Sequence, residues 1–384
     1  MIRLPDASGE LVAYTPRGEP DPAVRAPSGG RPASRAVLAA AHVVPAASEP
    51  YGIDWEATLS LRRHLLDCGL GVAEAMDTAQ RGAGLSWAAA AELTKRSAAQ
   101  ARALGGRLVA GAGTDQLTVA EAESGGLGLV RGAYEEQLEA VEETGAQAVL
   151  MASRALAATA AGEEEYLEVY GHLLRQASEP VILHWLGPMF DPALEGYWGS
   201  TDLDAAAEVF LEVIEDHPDK VDGVKVSLLD AGREVALRRR LPDGVRCYTG
   251  DDFHYPELIA GDRRGFSHAL LGVFGPLAPL AADAVRTLDT GDTAGFRARL
   301  DPTVPLARHL FAAPTRHYKA GVALLAHLAG HQARFALLDG AERHRDAPHL
   351  ARAYRLADEL GLFPDPERAE SRMRDVLAER GVGA

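Results

Sequence analysis

Cysteine is nearly missing from this chain: Cys68 and Cys247 are the only two in 384 residues. They stand far apart, with no CxxC or Cys/His spacing, so neither a disulfide framework nor a zinc ribbon can be assembled. That pattern fits a reducing cytoplasm. Lysine is almost as rare. Of 39 basic residues only Lys95, Lys220, Lys225 and Lys319 are lysines. Arginine serves wherever a positive charge suffices, so each lysine is a candidate for chemistry a guanidinium cannot do. Positive charge is itself in deficit, 39 basic against 55 acidic residues for a net charge of -16. A surface of that sign repels phosphate backbones, which argues against a nucleic-acid partner. No eighteen uncharged apolar residues run together, so no membrane-spanning helix is expected. Asp6 and Glu10 interrupt the apolar N-terminus, which is therefore not expected to be a signal peptide. What remains, 47% hydrophobic and 24% charged, is the make-up of a globular enzyme and excludes a disordered or collagen-like chain.

Residues 1–34, rich in Pro, Gly and charge, read as an N-terminal extension with a hairpin around Ser8-Gly9. Beyond Arg35 come eight short apolar runs, at 36–45, 71–78, 108–114, 148–153, 181–186, 223–229, 245–250 and 266–274. Most precede a stretch long enough for a helix. Asp54 and Ser86 are expected to cap two such helices, and Thr201 with Asp204 forms a capping-box pattern for a third. Strands alternating with helices imply parallel pairing through right-handed crossovers. Eight units in about 250 residues is the count of a TIM (β/α)8 barrel. A doubly wound open sheet is the competitor, but GAGTDQ at 111–116 lacks the third glycine of a dinucleotide fingerprint and no Walker A pattern occurs. The expected layout is an extension over 1–34, a barrel over 35–290 and a C-terminal helical appendage over 291–384, with periodic stretches near 292–311, 317–339, 347–360 and 365–381.

In such a barrel the chemistry sits at the C-terminal ends of the strands. Polar residues expected there are His42, Asp77, Thr78, Thr114, Ser153, Arg154, His184, Trp185, Lys225, Ser227, Asp251, Asp252, His254 and His268. Lys225 is the sharpest. In VDGVKVSLL, Val224, Val226 and Leu228 share one face, and Lys225 and Ser227 the other. If the valines pack outward, the lysine points into the barrel. Desolvation would lower its pKa and free a neutral amine for iminium formation. Spacing alone leaves a second reading equally open, a lysine paired with a carboxylate or reaching to the rim.

The order of these segments resembles the dihydrodipicolinate synthase / N-acetylneuraminate lyase family of class I aldolases. AGAGT at 110–114 is similar to the family's third-strand segment, VILHWLGP at 181–188 to its fifth, GVKVS at 223–227 to the Gly-hydrophobic-Lys motif of its sixth, and YTGDD at 248–252 to its seventh. The likeness covers roughly 35–330 and is that of a dihydrodipicolinate-synthase-like branch, not of the synthase itself. It implies a TIM barrel, a Schiff-base role for Lys225, no cofactor, a small-molecule substrate and a homodimer or homotetramer.

Two departures bear on substrate. His184 stands where the family has a proton-relaying tyrosine, and a histidine can transfer protons near neutrality; a plain hydrogen-bonded histidine is the alternative. MDTAQRG at 76–82 replaces the carboxylate-holding Gly-Thr-Thr-Gly-Glu segment, keeping only Thr78 and adding Asp77. An ionised Asp77 would repel a keto acid unless Arg81 offsets it, so a sugar-derived ketone enters alongside keto acids. Asp77 and Thr78 are expected to touch the substrate head, Asp251 and His254 its more distant hydroxyls, with Ser153, Arg154, Trp185, Ser227 and Asp252 as further contacts. A rival reading gathers Asp251, Asp252 and His254 with His42, His184 and His268 around a divalent metal, as in a metal-dependent sugar isomerase, epimerase or lyase. A third is a barrel that binds a ligand without catalysis.

Overall fold

The computed structural model describes residues 1–26, 30–46, 48–76 and 80–383. A two-stranded antiparallel hairpin, β1 (Ile2–Pro5) and β2 (Leu11–Tyr14), turns at Gly9, whose φ of 86° favours glycine. Eight further strands close a parallel barrel in the order β10-β3-β4-β5-β6-β7-β8-β9. They are β3 (Val37–Ala40), β4 (Gly71–Glu74), β5 (Leu108–Ala112), β6 (Gln147–Leu150), β7 (Val181–Leu186), β8 (Val221–Ser227), β9 (Arg246–Thr249) and β10 (His268–Leu271). Six fall within the expected apolar runs, because strands buried on both faces read as continuous hydrophobic segments, while β6 and β8 begin one and two residues before theirs. The architecture is a TIM barrel. Its interior is packed by Leu38, Ala73, Val109, Val149, Ile182, Tyr248 and Leu270, one from almost every strand. Alternate residues face the helical layer.

By contact the chain divides into two units. One is 35–40 with 71–271, holding all eight barrel strands. The other joins 1–34, 41–70 and 272–384, so the N-terminal segment groups with the C-terminal helices and with the helix Trp55–Asp67. Within this second unit Tyr14 donates to the Asp358 carboxylate at 2.7 Å, and Asp21 N–H to Gly361 O at 2.9 Å.

Asp54 and Ser86 cap helices Trp55–Asp67 and Trp87–Ala103. The third cap lies one residue from its expected place: Asp202, not Thr201, accepts the N–H of Asp204, since a carboxylate competes well with a hydroxyl for that role. The long periodic stretch from 317 is helical only over Lys319–Ala329, ending where Gly330 takes a φ of 94°.

Candidate functional site

Strand parity aims the key side chains. Lys225 pairs in register with His184 on β7 and Tyr248 on β9. Tyr248 and Ile182 belong to the interior cluster, and His184, two residues after Ile182, shares its face. Lys225 and His184 therefore project inward at the C-terminal end of the barrel. Residue 250 is a glycine for the same reason. A Cβ there would run into Ser227 Oγ and lie 2.9 Å from Lys225 Cε, so the lysine stem crosses the space a side chain would need.

Burial pushes the Lys225 amine down to about 8, against the Asp252 carboxylate, which raises it. The residue stays partly exposed, so its amine is desolvated yet reachable. No hydrogen bond to its Nζ occurs among the described residues. His184 is buried, with Nε2 3.1 Å from Ser227 Oγ and Nδ1 without a hydrogen-bond partner among the described residues. Burial, then the charge of Lys225, holds its pKa well below the usual histidine value. The ring is thus neutral at pH 7 and does not titrate near neutrality as the sequence suggested. In either tautomer it gives one nitrogen to Ser227 and keeps the other for a ligand.

Asp252 is buried and acts on Lys225 through its charge. Asp251 is committed to its own loop. Its Oδ1 accepts the N–H groups of Phe253 (2.8 Å) and His254 (3.0 Å), and its Oδ2 lies 2.8 Å from His254 Nδ1. Through that contact it orients His254. His254, 31% exposed, keeps Nε2 available.

Several expected contacts lie elsewhere. Trp185, one residue from His184, faces outward, packing edge-on to Phe210 at 5.3 Å and lining a small cavity with Leu203, Leu211 and Val226. Period-two alternation excludes it from the barrel interior. Ser153 Oγ pairs with Thr114 Oγ1 at 2.6 Å and caps the helix Arg154–Thr159 through Leu156 N–H. Arg154 Nε meets Asp191 Oδ2 at 2.5 Å. Both line a cleft of ≈ 280 Å³ whose walls include neither Lys225 nor His184. Arg81 is not free to receive a carboxylate. It is buried against Asp115, with Nε 2.9 Å from Oδ2, and donates to Gln137 Oε1 at 2.6 Å and Ala75 O at 2.6 Å. Asp77 and Thr78 lie outside the described residues.

The histidines proposed around a metal are dispersed. His42 Nε2 is 2.5 Å from Gln332 Oε1. His268 opens β10 at its N-terminal end, its Nδ1 accepting the N–H of Ala36 at 2.9 Å. Among the described residues no three His, Cys, Asp or Glu side chains are placed to hold a metal ion.

Sequence reasoning passed over two buried arrangements. One is a hydroxyl chain, Tyr170 OH to Tyr197 OH at 2.9 Å and Tyr197 OH accepting from Ser153 N–H at 3.0 Å. The other is Glu234, on the outer side of β9, bonded to Thr249 (2.9 Å) and Ser267 (2.6 Å) and pushed up to about 7 by burial. Neither has a local sequence signal, because each joins separate elements.

The closed eight-stranded parallel barrel is a fold that solved dihydrodipicolinate synthases share. That from Aquifex aeolicus is 14% identical with a TM-score of 0.61, over 91% of this chain and 98% of the other. That from Thermotoga maritima is 16% identical with a TM-score of 0.61, over 91% and 99%. That from Bacteroides thetaiotaomicron is 15% identical with a TM-score of 0.61, over 83% and 97%. At such identities the likeness is one of fold. Residues 2–382 match the family described as "Protein of unknown function (DUF993)", and the chain belongs to that family. No curated protein matches the sequence. No helix among the described residues is long and apolar enough to cross a membrane.

Proposed function

We propose that the chain is a Schiff-base-forming lyase of the class I aldolase type, with Lys225 as nucleophile toward a small ketone. The observation that carries this reading is the inward Lys225 amine, lowered to about 8, beside a neutral His184 with a vacant Nδ1. At pH 7 such an amine is roughly one-tenth neutral, about 300-fold more than an ordinary lysine.

The neutral Nζ adds to the ketone carbon, and the carbinolamine loses water to leave an iminium. Its positive nitrogen draws in the electron pair of a neighbouring bond. When that bond is C–H, the proton passes to His184 Nδ1 and an enamine remains. When it is C–C, the hydroxyl proton on the departing carbon passes to His184 Nδ1, and that carbon leaves as a carbonyl fragment while an enamine remains. Reprotonation and hydrolysis return the free lysine. Asp252 favours the cationic iminium as it favours the ammonium, so it stabilises the intermediate while limiting the fall in the amine's pKa. His254 reaches toward hydroxyls further out, held by Asp251. The substrate class is a keto acid or a sugar-derived ketone, and the sequence as written needs no cofactor.

The test is borohydride reduction with a panel of keto acids and keto sugars, read by peptide mass spectrometry. A reduced adduct on Lys225, absent in Lys225→Arg, is expected. If no ketone yields an adduct there, the proposal fails.

A further inference from the structure

Many arginines of this acid-rich chain meet carboxylates, as Arg81 meets Asp115, Arg240 meets Glu208 and Arg246 meets Asp222. One cleft in the C-terminal region departs from that habit. It is an open cleft of ≈ 580 Å³ lined by Arg343, His344, Arg345, Asp346, His349 and Arg380. Arg345 is only 7% exposed. Its two terminal nitrogens donate to the carbonyls of Ala312, Ala313 and Pro314, while its Nε has no hydrogen-bond partner among the described residues. Arg380 likewise donates to carbonyls, Arg345 O at 2.9 Å and Glu342 O at 2.7 Å. Carbonyl oxygens fix a guanidinium in place without cancelling its charge. Arg343 approaches Glu342 only at 3.8 Å and is 74% exposed. His349 Nε2 is buried and has no hydrogen-bond partner among the described residues. The helix Ala347–Glu359 begins at the cleft, its N-cap Asp346 accepting from His349 N–H at 2.9 Å.

Three arginines therefore converge with two carboxylates in reach, Asp346 and Glu342, the latter's Oε2 already accepting the N–H of Leu337 at 2.9 Å. The counter-charge that acts on buried Arg345 is the solvent-exposed Asp346 carboxylate, and an anion entering the cleft would add to it without first having to order the arginines. Guanidinium groups recognise oxyanions in bidentate fashion, and the volume suits a metabolite-sized molecule. We infer that this cleft is a binding site for a small polyanion, a phosphate ester or a polycarboxylate, independent of the chemistry at Lys225.

The test is calorimetric titration of the full chain at constant ionic strength with inorganic pyrophosphate and, separately, with citrate. Arg345→Ala would also strip three carbonyls of their donor, so exposed Arg343 is the position to vary, with unchanged thermal unfolding as the folding control. One saturable site with submillimolar Kd is expected, weakened about tenfold or more in Arg343→Glu. Tighter pyrophosphate binding identifies a phosphate ligand, and tighter citrate binding a polycarboxylate. The inference is overturned if neither anion binds, or if Arg343→Glu binds as tightly as the native chain.

Discussion

Two opposed influences meet at the nitrogen of Lys225. Desolvation lowers its pKa and the Asp252 carboxylate raises it, and desolvation wins, leaving about 8. Acylation by acetic anhydride, followed at that lysine by peptide mass spectrometry, should therefore rise through a midpoint near pH 8, where an ordinary lysine would respond near about 10.4. Removing the opposing carboxylate leaves desolvation alone, so Asp252→Asn should move the midpoint further down. An upward shift would show that the assignment of causes is wrong. Lys225 was legible in the sequence, because lysine is rare here and parity set it opposite the valines. Its neighbours were less so. Trp185 was drawn to the site by adjacency to His184, although alternation turns adjacent residues to opposite faces. The neutral state of His184 depends on burial by other strands, which no local pattern records.

The elements themselves were easier to read. Eight buried parallel strands announce themselves as apolar runs, whereas a helix boundary depends on which of several cap residues wins, as Asp202 does over Thr201. Arrangements between distant elements had no periodic signature, so the Arg345–Arg380 cleft and the Tyr170–Tyr197 pair emerged only in three dimensions. The join between β8 and the end of β9 permits a prediction whose sign is diagnostic. Where space is open, replacing a strand glycine by alanine gains roughly 0.5–1 kcal/mol. At position 250 the new methyl would meet Ser227 Oγ and Lys225 Cε. Gly250→Ala should instead lose about 1–3 kcal/mol in urea denaturation, with less borohydride trapping at Lys225. A variant more stable than the native chain would mean that the lysine does not lie across residue 250.

Across the whole molecule the titrating groups are unevenly set, and this shapes the response to acid. Burial holds His42 and His349 at about 3 and His268 and His331 at about 4. In the unfolded chain each would bind a proton near pH 6.5. Below that pH the unfolded state takes up protons the folded state refuses, so stability falls as pH falls, by up to about 1.4 kcal/mol per unit for each histidine. Glu234 acts in the opposite sense. Raised to about 7 from 4.5, it is protonated in the folded chain before the unfolded one, and it adds stability as pH drops between those values. With His184, also held well below its usual value, these histidines outweigh one glutamate. Thermal unfolding followed by circular dichroism should show a Tm that declines steeply from pH 6.5 to pH 5, a window in which ordinary carboxylates near about 4 have scarcely begun to titrate. Replacing His42 by Gln, which keeps a polar partner for Gln332, should flatten that slope measurably, since it removes one of the rings that resist protonation in the folded chain. A Tm unchanged between pH 6.5 and pH 5 would mean that these rings are charged in the native chain, and their burial would then need another explanation.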